Sequence, residues 1–116
     1  MTYQEKGSVS LVKFLLNNLK NDYAKQFEDM EDFVRWNLPE ETALEWIDAL
    51  GAVDILKKSN LFPNEFISLL YQIIDIFEKA FDIPDNPVWT HEAMKTHPFW
   101  ENMRSLAKQA LDIVSL

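Results

Sequence analysis

The residues able to do chemistry gather in one quarter of the chain. Residues 28–54 read EDMEDFVRWNLPEETALEWIDALGAVD. They hold nine acids (Glu28, Asp29, Glu31, Asp32, Glu40, Glu41, Glu45, Asp48 and Asp54) against one base, Arg35, which leaves −8. The whole 116-residue chain also carries −8, so the remainder is neutral on balance. Clustered carboxylates have three uses: they bind a divalent cation, they move protons, or they attract a cationic partner. A calcium loop needs alternating oxygen ligands around a glycine, and this stretch has none in the required place. Acid–base pairs work in pockets that drive their pKa values apart, and an open helix face offers no pocket. The third use remains, because a concentrated negative field draws in and orients a basic partner.

The other titratable pair lies in WTHEAMKTHPFW. His91 and His97 are six residues apart, which suits neither helical i,i+3 nor i,i+4 pairing. HEAMK is not the HExxH of a zinc protease, because Lys95 stands where the second histidine belongs. We therefore read both histidines as structural or surface residues, with His97 helping to start the helix that Pro98 opens. The chain has no cysteine, which removes disulfides, thiol catalysis and cysteine zinc sites. It has no GxSxG, and neither Gly7 nor Gly51 begins a phosphate-cradling loop. No catalytic residue, metal ligand set or cofactor is assigned, and the expectation is a protein that is not an enzyme.

The charge also excludes partners. Nucleic acid and anionic membranes call for a basic stripe, and an acidic chain repels both. No stretch reaches the roughly 18 to 20 apolar residues of a membrane span, and the N-terminus has no signal-peptide pattern. The expectation is a soluble, cytoplasmic protein. Its length fits one domain, residues 1–116. With 47% hydrophobic residues, it has the material for a core.

The elements that must position the acids are helices. Apolar residues recur at helical spacing nearly everywhere, and strand alternation is scarce. The spacing predicts helices over 8–21, with Ser8 as N-cap, over 22–36, and from Pro39 to a stop or bend at Gly51. A short helix over 52–59 follows, then a long apolar one over 63–82. A stiff loop over 82–89 comes next, then a short turn capped by Thr90 and a last helix over 98–114. On the last helix, Glu101, Arg104, Lys108 and Asp112 are read as facing water. The fold class is thus all-α: a single-domain bundle of about five main helices plus one or two short ones.

At 100° per residue, Tyr23, Phe27, Met30 and Val34 form the core stripe of the second helix, with Phe33 beside it. Glu28, Asp29, Glu31 and Asp32 occupy the rest, and Trp36 falls among them. Glu31 and Arg35 stand at i,i+4, an ordinary helical pair. On the third helix Glu41, Glu45 and Asp48 lie opposite Ala43, Ile47 and Leu50. Were the two helices neighbours, their outer faces would merge into one negative surface with an aromatic anchor. The plain alternative is a solvated helix face.

In size, charge, lack of cysteine and concentrated acidic patch, the chain resembles the small acidic immunity proteins of bacterial toxin–immunity systems of the contact-dependent growth inhibition type. The resemblance implies a protein that neutralises a nuclease-like toxin by covering its basic cleft. On that reading Glu28, Asp29, Glu31, Asp32, Trp36, Glu41, Glu45 and Asp48 meet a basic protein partner. The second function class is a homo-oligomeric helical adaptor, in which residues 63–82 and the leucines of 11–19 leave an apolar seam for a second copy.

Overall fold

The computed structural model describes all 116 residues, and its chain is helical throughout, with no strand. In order, the helices are α1 (Tyr3–Leu19), α2 (Tyr23–Glu28), α3 (Asp32–Arg35), α4 (Leu38–Asp48), α5 (Leu50–Ser59), α6 (Asn64–Phe81), α7 (His91–Thr96) and α8 (Pro98–Ile113), with a 3₁₀ turn at Pro87–Trp89 before α7. Five of these are long: α1, α4, α5, α6 and α8. The all-α bundle is as expected, but the long helices are not quite the ones expected.

α1 begins five residues before Ser8. Thr2 and Glu5 form a reciprocal cap: the Glu5 amide donates to Thr2 Oγ1 at 3.1 Å, and the Thr2 amide donates to Glu5 Oε1 at 2.7 Å. Ser8 is therefore a buried mid-helix residue rather than a cap. α1 turns Val12, Leu15, Leu16 and Leu19 inward.

The helix expected over 22–36 is broken. α2 ends at Glu28, the chain turns through Asp29–Glu31, and α3 adds a single further turn. Arg35 holds the break. Its Nε donates to the Phe27 carbonyl at 2.8 Å and its Nη2 to the Glu28 carbonyl at 2.9 Å. These carbonyls belong to the last turn of α2, which a cation satisfies in both hydrogen bonding and dipole. Arg35 ion-pairs with Asp32 at 2.7 Å, not with Glu31.

Pro39 lies in the first turn of α4, where its missing N–H does no harm. The bend comes at Ala49, so Gly51 sits inside the first turn of α5 and stops nothing. Asn60 ends α5 in the left-handed conformation, φ 57°. α6 buries Phe66, Ile67, Leu70, Ile73, Ile74, Phe77 and Ala80, and packs against α4, α5 and α8. α1 lies across α5 and α8. His97 caps α8 as expected, its Nδ1 accepting from the Phe99 amide at 3.1 Å. Each large apolar side chain buried in this core is worth about 1.5–3 kcal/mol.

One residue of α8 reverses its expected direction. Arg104 does not face water. It is buried, and it donates from Nε to the Asn21 carbonyl (2.9 Å) and from Nη2 to Gln26 Oε1 (2.9 Å) and the Met94 carbonyl (2.6 Å). Burial pulls its pKa down, and the charges of Asp22 and Glu101 pull it back up. The guanidinium thus ties the α1–α2 turn, α2 and α7 to α8.

Candidate partner-binding face

Trp36 follows α3 and is 84% exposed, and Phe33 before it is 76% exposed. The expected core stripe therefore divides at the helix break. Met30 and Val34 go inward, while Phe27 and Phe33 turn to solvent. Large aromatics are seldom left this open on a water-facing surface, and contiguous apolar exposure marks contact sites.

Trp36 walls a cleft of about 550 Å³ that Phe27, Asp32, Arg35 and His91 complete. The cleft is framed by contacts from α7. His91 Nε2 lies 3.1 Å from the Trp36 carbonyl, and its Nδ1 lies 2.6 Å from the Tyr23 hydroxyl. A carbonyl only accepts, so Nε2 carries a proton, and in the neutral ring Nδ1 accepts from Tyr23. His91 thereby fixes α7 to both α2 and the end of α3. The Arg35 guanidinium sits 5.1 Å from the Phe27 ring centroid and Lys95 Nζ 5.0 Å from that of Tyr23, so both rings are also held by cations. Burial raises the Tyr23 pKa.

The helix break places Asp29 and Asp32 at different clefts. Asp32 lines the Trp36 cleft. Asp29 turns the other way, pairs with Lys25 at 2.9 Å and lines a separate cleft on α1. Glu28 and Glu31 are exposed between them. α3 packs against α4, while α2 lies on α1. The α3 end of the patch, with Asp32 and Trp36, therefore adjoins the helix that bears Glu41, Glu45 and Asp48. Asp48 is exposed, and Glu41 and Glu45 are partly covered. Burial raises the Glu45 pKa, and the charges of Glu41 and Asp48 raise it further.

Nowhere do three or more histidine, aspartate or glutamate side chains converge so as to hold a metal ion. No helix is long and apolar enough to cross a membrane. Of the residues that would make an apolar seam for a second copy, Leu11 is 41% exposed. Leu15, Leu16 and Leu19 of α1 and most apolar residues of α6 are buried in its own core. The chain matches no protein-family model, no curated protein and no solved structure.

Two residues of this face were not legible as such. His91 carried no signal, because its partners stand 68 and 55 residues away. Phe33 falls beside the core stripe on an unbroken helix, and the break leaves it exposed. The acids Glu31 and Asp32 held the available signal, since acids favour the first turn of a new helix.

Proposed function

We propose that this is a binding protein that neutralises a basic partner: an immunity protein that blocks a nuclease-like toxin domain through the acidic, aromatic face of α3 and α4. The observation that carries the reading is Trp36, 84% exposed beside Phe33 and within a run of carboxylates. A tryptophan left in water contributes little to folding, and it supplies a large rigid contact once covered. Tryptophans of this kind dominate interface energies when they lie near the centre of a patch. The carboxylates around it would steer a cationic surface toward it and set which surfaces are rejected. Asp32 pairs with Arg35 and Asp29 with Lys25, so Glu28, Glu31, Glu41, Glu45 and Asp48 carry the unneutralised charge.

The test begins with capture of a basic protein, from the adjacent reading frame or from lysate, at low and at high salt. Tight 1:1 binding that weakens with salt is expected. Against the captured partner, Trp36→Ala should cost at least about 2 kcal/mol, roughly 30-fold in affinity. Its effect on folding should stay within about 0.5 kcal/mol, as for other surface changes. Full affinity for both Trp36→Ala and the double reversal Glu45→Lys with Asp48→Lys would rule out this face.

A further inference from the structure

The break between α2 and α3 runs against the apolar pattern. Tyr23, Phe27, Met30 and Val34 stand at i, i+4, i+7 and i+11, which places them within about 60° of one another on a continuous helix. The backbone is also poised to join. The Glu31, Asp32 and Phe33 amides find no backbone acceptor, and no side chain caps α3. On a continuous helix their acceptors are the carbonyls of Phe27, Glu28 and Asp29. Arg35 occupies the first two of those carbonyls, from Nε at 2.8 Å and from Nη2 at 2.9 Å. It therefore stands in place of the bonds that would unite the two halves.

Two further features hold the halves apart. On a continuous helix Glu28 meets Glu31 at i+3 and Asp32 at i+4, and Asp29 meets Asp32 at i+3. Like charges so spaced oppose a helix. The second feature is His91, which touches both the Tyr23 hydroxyl (2.6 Å) and the Trp36 carbonyl (3.1 Å). An unbroken helix from Tyr23 to Trp36 would set these two positions about 20 Å apart along its axis. One imidazole and a tyrosine side chain do not reach that far.

We infer that residues 22–37 form a two-state switch, in which a broken helix latched by Arg35 and His91 exchanges with one continuous helix over 23–36. Closing trades two charge-assisted bonds from Arg35 and a neutral one from His91 for three backbone bonds. Opposed terms of similar kind thus set the balance, and the acidic run tips it toward the broken form. The broken form is the one that assembles the Trp36 cleft, because His91 reaches Trp36 only across the break. Closing dismantles that cleft. The switch would therefore regulate the face proposed above, since apparent affinity falls with the fraction of molecules in the competent form. That consequence rests on the Trp36 reading, and the switch itself does not.

The experiment is NMR of the full chain without a partner, read from Cα chemical shifts and amide hydrogen exchange. In Arg35→Gln the shifts at 29–31 should move to helical values, and exchange at Glu31, Asp32 and Phe33 should slow by about tenfold or more. Unchanged shifts in α1, α6 and α8 will verify the fold. Glu28→Gln removes two of the like-charge pairs and leaves the latch in place, so it should move the same signals the same way by a smaller amount. It decides the matter should Arg35→Gln melt the segment. Asp32→Pro should lock the broken form even when combined with Arg35→Gln. Proline suits the first residue of α3, and Glu31 before it is already extended at ψ 154°. In a continuous helix the same proline removes a donor and clashes with the preceding turn. Shifts at 29–31 that stay non-helical in both single variants, or that turn helical despite Asp32→Pro, would overturn the switch. Neither outcome bears on whether Trp36 meets a partner, which Trp36→Ala tests by itself.

Discussion

α6 and α8 meet through Phe77, Trp100 and Met103, all fully buried, and an aromatic cluster extends their contact. Phe77 and Trp100 ring centroids are 5.6 Å apart, and Trp89 stacks on Phe81 at 4.2 Å. Trp100 completes the packing by donating its indole N–H to the Val88 carbonyl at 2.8 Å. Residues 22–37 are held quite differently. Their buried apolar side chains are Met30 and Val34. Beyond these and the partly buried Tyr23, the segment is tied to the bundle by directional bonds, Arg104 on Asn21 and Gln26 and His91 on Tyr23 and Trp36, while Arg35 on Phe27 and Glu28 holds its internal break. Apolar packing is spread over many atoms, and it resists any one change outside the core. A segment fixed mainly by two polar clasps from α7 and α8 can keep its aromatics outside, where a partner would find them. Removing one clasp should then loosen the segment while the bundle stands.

The largest expected effect tests the packed half. Phe77→Ala should cost about 3–5 kcal/mol, the usual range for a large aromatic lost from a core. The denaturation midpoint should fall for all probes together. Arg104→Met tests the other half. Methionine keeps much of the volume, but three acceptors lose their donor, and hydrogen bonds to charged groups are worth about 1.5–3 kcal/mol each before water repairs part of the loss. A net cost of about 2–3 kcal/mol is expected. The informative readout is hydrogen exchange, which should accelerate at residues 22–37 more than in α6 or α8. Uniform acceleration across the chain would show that Arg104 stabilises the whole bundle, and the contrast between the two regions would collapse.

The same contrast explains what could be read in advance. The packed half was legible because its signals are local. The apolar circumference of α6, Pro63 and Pro98 at helix starts, the Thr90 cap and the turn at Asn60 all act within a few residues. The clasped half was not. Tyr23, Phe27, Met30 and Val34 keep helical spacing straight across the break at 29–31, so periodicity alone draws one helix. The break depends on Arg35 reaching back to carbonyls seven and eight residues earlier. Arg104 falls on the polar arc of α8 by any wheel, and its burial rests on an acceptor 83 residues away. Of the candidate site, the identity of the acids and the aromatic among them were legible. Their division between two clefts was not, because Asp29 and Asp32 face apart only once the helix is broken. The Thr2–Glu5 cap was a local signal, and a TxxE pattern before an apolar run would have found it.

Glu45 gives the smallest effect and the sharpest use of the comparison. It follows Glu41 by four residues and precedes Asp48 by three, so both neighbours repel it along α4. Burial is the larger cause of its raised pKa, and the two charges add to it. The folded protein therefore binds the Glu45 proton more tightly than the unfolded chain does. Stability from this site is fully present below the ordinary value of 4.5 and is lost as pH rises through the higher folded value. At neutral pH the carboxylate is a cost to folding. Glu45→Gln should stabilise the protein there by about 0.2–0.5 kcal/mol for each like-charge pair removed. The gain should shrink in high salt and disappear below pH 4.5, as thermal melts across pH will show. A residue that opposes folding is worth keeping where it serves binding. The same variant should accordingly bind the basic partner more weakly while it melts higher. A higher melting temperature with undiminished affinity would move the contact off α4 and onto Trp36 and the acids of α3 alone.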